Sequence, residues 1–205
     1  MIAIIDYDAG NIKSVEKAIL FLGEEAVLTR DPEVILSADG VILPGVGAFG
    51  DAMDKLHAYK LVEVIKEVVA KQIPFLGICL GLQLMFECSE ESPGVEGLHI
   101  LDGKIVRFPA EIGLKIPQIG WNDLRYPHQG TLFEGISEKS FVYFVHSYYL
   151  QAADESIVTA TTKYGVTVHA SVEKGNVFGC QFHPEKSSGT GLKILQNFIA
   201  VTKKA

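Results

Sequence analysis

The sequence predicts an α/β fold in one domain: a mostly parallel central sheet with helices on both faces, and a small antiparallel sheet beside it. Three observations carry this. From Met1 to Phe86, apolar runs of strand length alternate with segments of helical periodicity. Beyond Gly97 the pattern changes to short segments separated by glycine and proline, and an apolar-faced helix follows near the carboxyl end. At 205 residues, 48% hydrophobic and 21% charged, the chain can bury one core and is not of disordered composition.

Taken in order, Ile2 to Ile5 is a buried strand that ends in the polar turn Asp6–Asn11. Its start has no basic region or cleavage pattern, so it reads as a strand and not as a leader. Ile12 to Leu22 is a helix with Ile12, Val15, Ala18, Ile19 and Leu22 on one face, stopped by Gly23. Glu25 to Thr29 and Gly40 to Leu43 are strands, the second leading into the glycine-rich loop Pro44–Gly50. One long helix is expected from Asp51 to Lys71, with Leu61, Val64, Ile65, Val68 and Val69 as its stripe. Ile73 to Ile78 is too short an apolar run for a helix, and helical spacing returns after Gly81. Ser89 to Gly97 is acidic and turn-rich. Lys104–Phe108, Phe141–Val145, Ile157–Thr162, Val166–Ser171 and Val177–Phe182 read as antiparallel strands, before a helix from Gly189 to Lys203. In parallel sheets, sites collect at the carboxyl ends of strands. The Asp6–Asn11 turn, the Pro44–Gly50 loop and the end of the Ile73–Ile78 strand therefore share one edge.

Charge and cysteine usage narrow the function. Eighteen basic against 25 acidic residues give a net charge of −7, which argues against nucleic acid as the main partner and does not favour an anionic membrane. No apolar run reaches membrane-spanning length. Cys79, Cys88 and Cys180 are three, so at least one stays unpaired, and they lack metal-site spacing. A reducing, cytoplasmic setting follows most simply. Gly45-Val46-Gly47 lacks the lysine and spacing of a phosphate loop, and there is no dinucleotide fingerprint. No metal and no cofactor are expected.

The chemistry concentrates at Gly77-Ile78-Cys79-Leu80-Gly81, where a strand turns sharply into a helix. A cysteine with glycine two residues to either side has the layout of a nucleophile elbow, and the first helix amides favour thiolate over thiol. The local pattern alone fits a small buried hydrophobe equally well. A thiolate enzyme needs an imidazole. His57 lies among charges, His99 and His128 in turns, His169 in a strand, and His146 either lines a site or packs at a strand end. His183 differs, because Pro184 and Glu185 follow it at a strand end. Two residues apart in extended chain point the same way, so Glu185 can orient the imidazole. Cys180, within a strand, has nothing to expose or activate it.

GICLG at 77–81 with FHPE at 182–185 resembles the class I, triad-type glutamine amidotransferases. Within them, six stretches are similar to the glutaminase subunits of imidazole glycerol phosphate synthase: DYDAGN at 6–11, LPGVGAFGDAM at 43–53, GICLGLQLMFE at 77–87, PQIGWN at 117–122, YFVHSYY at 143–149 and QFHPEKSS at 181–188. They span nearly the whole chain in order. The resemblance implies the flavodoxin-like three-layer fold of that class, with Cys79, His183 and Glu185 as triad. It implies an oxyanion site from the Leu80 amide and that of Val46 or Gly47, completed by a peptide flip in the Pro44–Gly47 loop. Glutamine would meet Gln83, the backbone of Ser147 and Tyr148, and Glu91. Ammonia would pass to a (β/α)₈-barrel cyclase, in a heterodimer, for synthesis of imidazole glycerol phosphate and an aminoimidazole carboxamide ribotide in histidine biosynthesis. Asn11, Lys17, Trp121, Asn122 and Tyr143 are the expected interface. The competing readings are a glutaminase for anthranilate, aminodeoxychorismate or pyridoxal phosphate synthesis, a stand-alone cysteine hydrolase or peptidase, and a silent regulatory subunit.

Overall fold

The computed structural model describes residues 1–10 and 12–204. Strand β1 (Ile2–Ile5) is buried throughout and leads to helix α1 (Ile12–Phe21), which turns Val15, Ala18 and Ile19 inward. Gly23, at φ +80°, ends that helix, a conformation that costs glycine nothing. Strand β2 (Ala26–Thr29) is followed by a short helix, α2 (Pro32–Leu36), that the periodicity did not reveal. It is set by local chemistry: Asp31 accepts from the Glu33 amide, and Pro32 occupies the first turn. Strand β3 (Gly40–Leu43) comes next.

The single helix expected from Asp51 to Lys71 is two, α3 (Phe49–Ala58) and α4 (Leu61–Ala70). Lys60 adopts left-handed backbone at φ +58° between them. The break lets two faces reach one core, Phe49, Ala52, Met53 and Leu56 from α3 and Leu61, Val64, Ile65 and Val68 from α4. One continuous helix could not bend both stripes onto the same sheet face. Strand β4 (Phe75–Ile78) then runs into α5 (Leu80–Leu84), which is shorter than the spacing of Met85 and Phe86 suggested. The Leu84 carbonyl accepts from Leu98 N and the Met85 carbonyl from Ile100 N, so neither continues the helix, while Met85 and Phe86 stay buried.

The second half supplies β5 (Cys88–Ser89), β6 (Gly103–Arg107), β7 (Gln118–Asp123), β8 (Phe141–His146), β9 (Tyr148–Ala152), β10 (Val158–Tyr164), β11 (Val166–Lys174), β12 (Val177–Cys180) and α6 (Ser188–Thr202). Strands β5, β7 and β9 were not foreseen. Gly120, at φ +132°, interrupts the alternation of β7, and β9 begins one residue after β8 ends. Strand β12 ends at Cys180, two residues short of the expected Phe182.

The central sheet has the order β10-β11-β12-β4-β3-β1-β2. From β12 to β2 the pairings are parallel, while β10 and β11 extend the sheet antiparallel. Alternate residues of β1 enter two cores: Ala3 and Ile5 join α3 and α4, and Ile2 and Ile4 join α1 and α6. Strands β5, β6 and β9 form one small sheet, and β7 and β8 another, antiparallel, with Trp121 opposite Tyr143. For the site, the decisive pairing is β4 with β12, Gly77 opposite Gly179 and Ile78 opposite Cys180. The chain leaves both strands at the same edge and level.

That edge depends on tight backbone contact. A Cβ at Gly81 would overlap the Leu43 carbonyl oxygen, and one at Gly77 would come 2.7 Å from Gly81 O. We predict that Gly81→Ala destabilises by at least about 3 kcal/mol, because backbone cannot rotate away, lowering Tm by roughly 6–12 °C. Gly189→Ala, where nothing lies within 4 Å, should change stability by less than about 1 kcal/mol. Scanning calorimetry on the pair measures both.

Candidate active site

Cys79 sits at the junction of β4 and α5 with φ 54° and ψ −106°. A non-glycine residue held there stores strain of about 1–3 kcal/mol. It is held because its amide donates to Cys180 O at 2.7 Å. The side chain, 7% exposed, forms part of the lining of a cavity of about 550 Å³. The thiol of Cys180, by contrast, is fully buried and pushed up to about 12 by that burial, which suits an inert residue.

His183 and Glu185 leave the neighbouring strand. The imidazole Nδ1 lies 2.8 Å from Glu185 Oε1, and the two side chains are 2% and 1% exposed. Their meeting does not come from extended chain. His183 is extended, but Pro184–Lys186 is a 3₁₀ turn that folds Glu185 back beneath the ring. The turn is anchored on all sides: His183 N donates to Tyr143 O at 2.9 Å, Ser187 Oγ donates to His183 O at 2.6 Å, and Tyr143 N donates to Ser187 Oγ at 2.9 Å. With Nδ1–H directed at the carboxylate, Nε2 is left without a partner of ordinary hydrogen-bond geometry among the described residues. Burial disfavours the charged ring, but the Cys79 sulfur and then the Glu185 carboxylate outweigh it and raise His183 to about 9.

The cavity wall includes Gln83, Glu91, Ser147 and Tyr148, with Val46 and Gly47 beside Cys79 and Leu80. Gln83 Nε2 donates to Tyr148 O at 3.1 Å and to Gln181 Oε1 at 3.0 Å. Glu91 has a definite place: its carboxylate accepts the Phe49 amide at 2.8 Å, capping α3, while Ser92 Oγ accepts the Gly50 amide at 2.9 Å. The Pro44–Gly47 loop rests on Tyr7, whose buried hydroxyl donates to Pro44 O at 2.8 Å. The Leu80 amide, the nearest helix donor to the sulfur, donates to Gly45 O at 3.3 Å. It is therefore occupied, and the expected polarisation of Cys79 by the first helix amides is blunted.

Lys186 and Gln181 escaped sequence reasoning, whereas His146 keeps both of the roles the sequence left open. Lys186 lines the cavity. Gln181, wholly buried, donates from Nε2 to Cys79 Sγ at 3.7 Å. His146 both lines the cavity and packs at a strand end, held by Tyr148 O at 2.8 Å and Gln118 Oε1 at 3.1 Å. Only position within the run QFHPEKSS hinted at Lys186 and Gln181. Of the expected interface residues, Asn11 lies outside the described ones. Lys17 is exposed on α1. Trp121 is 50% exposed, not a core residue, with its ring 6.1 Å from that of Tyr143, and Asn122 Nδ2 donates to Lys163 O at 3.0 Å.

The two histidines respond to pH in opposite senses. Burial lowers His146 to about 4. The unfolded chain then takes up its proton first, so stability is lost as pH falls from about 6.5 towards 4, by about 3 kcal/mol. His183, raised to about 9, contributes stability that is complete below about pH 6.5 and lost as pH rises through its folded value. Urea titrations across pH should show a shallower acid limb in His146→Gln and a shallower alkaline limb in His183→Gln. Unchanged limbs would show that these rings do not titrate as the geometry requires.

Comparison with known proteins places this geometry among relatives. The sequence profile of the family described as glutamine amidotransferase class-I matches residues 3–201. A protein of Moorella thermoacetica called imidazole glycerol phosphate synthase subunit HisH is 52% identical over 204 residues, covering 100% of this chain and 96% of that protein. A protein of the same description from Bacillus cereus is 53% identical over 203 residues, covering 99% and 96%. A crystal structure of a glutamine amidotransferase superposes with a TM-score of 0.76 at 19% identity over 98% of each chain, a likeness of fold.

Proposed function

Because the chain belongs to the class-I glutamine amidotransferases, and among them to the HisH subunits of imidazole glycerol phosphate synthase, we propose that it hydrolyses glutamine to glutamate and ammonia for that synthase in histidine biosynthesis. The observation that carries the chemical reading is the buried His183–Glu185 pair set against Cys79 beside a cavity of about 550 Å³. Cys79 thiolate attacks the side-chain amide carbon of glutamine. The carbon–nitrogen bond breaks as His183 gives its proton to the departing ammonia, leaving a γ-glutamyl thioester. Water then loses a proton to His183 and attacks the thioester, which returns the sulfur as thiolate and releases glutamate. Glu185 keeps Nδ1–H directed and supports the imidazolium. Gln83, Glu91, Ser147 and Tyr148 form the glutamine wall.

The tetrahedral intermediate needs donors for its oxyanion, and the Leu80 amide now faces Gly45 O. Turning the Gly45–Val46 peptide over would remove that carbonyl and present the Val46 amide, with Gly47 next in line. Missing one such donor costs about 100- to 1000-fold in rate, so the arrangement keeps the chain idle when alone. Ammonia released into water would be protonated, which gives a reason for a (β/α)₈-barrel cyclase as partner in a heterodimer. Ring formation belongs to that cyclase. The docking face takes in Lys17, Trp121, Asn122 and Tyr143, and half-exposed Trp121 suits an interface anchor. Among the described residues no helix is long and apolar enough to cross a membrane.

Cys79→Ala should abolish glutamine-dependent synthesis while ammonia-dependent synthesis by the complex survives; loss of both from an intact complex would refute the division of labour. Glutamine hydrolysis by the isolated chain should be at least about 100-fold slower than with the cyclase and its ligand. Fast hydrolysis by the chain alone would remove the case for the peptide turn.

A further inference from the structure

The Cys79 sulfur is flanked by more than an imidazole. The Val145 carbonyl, which can only accept, lies 4.0 Å from Sγ. The opposing donor is the carboxamide of Gln181, whose Nε2 lies 3.7 Å from Sγ. Its orientation follows from one fixed point. Tyr148 O is a backbone carbonyl and must accept, so the Gln83 atom 3.1 Å away is its NH₂ group. The second N–H of that group, 3.0 Å from Gln181, requires an acceptor there, which is Oε1. Nε2 of Gln181 is thereby turned to the sulfur. The polarity runs from the cavity wall to Cys79 with no free choice of amide flip.

We propose that Gln181 is a positioning residue of this site: its carboxamide donates to Cys79 Sγ and accepts from Gln83, holding the sulfur ready for attack and in register with the wall that meets glutamine. This rests on the reading of Cys79 as nucleophile. Gln181 is completely buried, and its own amide donates to Ala170 O at 2.9 Å, so the carboxamide is carried on a fixed backbone. A hydrogen bond to a charged acceptor is stronger than one to a neutral acceptor, and here the thiolate is the charged form. Because Gln83 uses both N–H groups inward, on Tyr148 O and on Gln181 Oε1, its own Oε1 is what remains for a bound amino acid.

Two near-isosteric variants separate the roles. Gln181→Glu keeps an acceptor for Gln83 and removes the donor to sulfur, while Gln181→Met removes both. Both are made in a Cys88→Ser background, since Cys88 is exposed and would react. Iodoacetamide alkylation of Cys79 at pH 7, followed by intact mass, should slow at least tenfold in each variant, with folding checked by thermal unfolding. In the complex with the cyclase, kcat for glutamine should fall in both, and KM should rise only in Gln181→Met. Should Gln181→Glu fail to fold, slowed alkylation and a joint kcat and KM effect in Gln181→Met still support the proposal. Alkylation of either folded variant at the parent rate would overturn it. If alkylating Cys79 of the parent left glutamine hydrolysis intact, the nucleophile reading itself would fall.

Discussion

The parallel pairing of β4 with β12 is the constraint on which the site depends. It brings two chain segments about a hundred residues apart, Cys79 and Gln181–His183, off the sheet at one edge and one level. The pairing would be useless without the glycines that follow it. Gly81 lies directly on the Leu43 carbonyl, and only its missing side chain lets α5 start immediately after the strand. The strained backbone of Cys79 is the consequence of that abrupt turn. The sheet beneath, buried on both faces, is what holds the strain.

Around this edge the polar groups divide into those that order the chain and those left available for chemistry. Glu91 caps α3, Tyr7 holds Pro44, and the Ser187 hydroxyl ties the 3₁₀ turn to β8. His183 Nε2 and the Cys79 sulfur are the groups left for chemistry. The Leu80 amide stands between the two sets, structurally occupied by Gly45 O. A single peptide orientation thus separates an idle site from a complete one in the proposed mechanism. The loop that carries it has its first carbonyl bound to a buried tyrosine and a half-exposed Val46 at its far side, which favours a local turn over wholesale movement.

Much of this was legible in the residues. Strand lengths and helical stripes in the first half of the chain located the alternating elements, because apolar periodicity reports directly on which face is buried. GICLG located the elbow, since sharp turns and close packing leave few residue types able to stand there. His183 and Glu185 could be paired from their spacing, although the reason was mistaken. They meet across a 3₁₀ turn started by Pro184, and local sequence does not distinguish that from an extended segment.

Sequence by itself determined the alternation of strands and helices in the first half, the cysteine elbow, the histidine–glutamate pair and, through the resemblance of its motifs, the family. These are properties of neighbours along the chain, where sterics and capping act within a few residues. Only tertiary structure decided that Asp51–Lys71 breaks at Lys60, that Glu91 caps a helix, that Trp121 faces solvent and that Leu80 donates to Gly45. Each of those depends on contacts between residues distant in the chain, and burial of a polar group leaves no periodic trace in the sequence. Gln181 shows the difference most plainly. Its place between Cys79 and Gln83 comes from the alignment of two strands, which no pattern within either strand records.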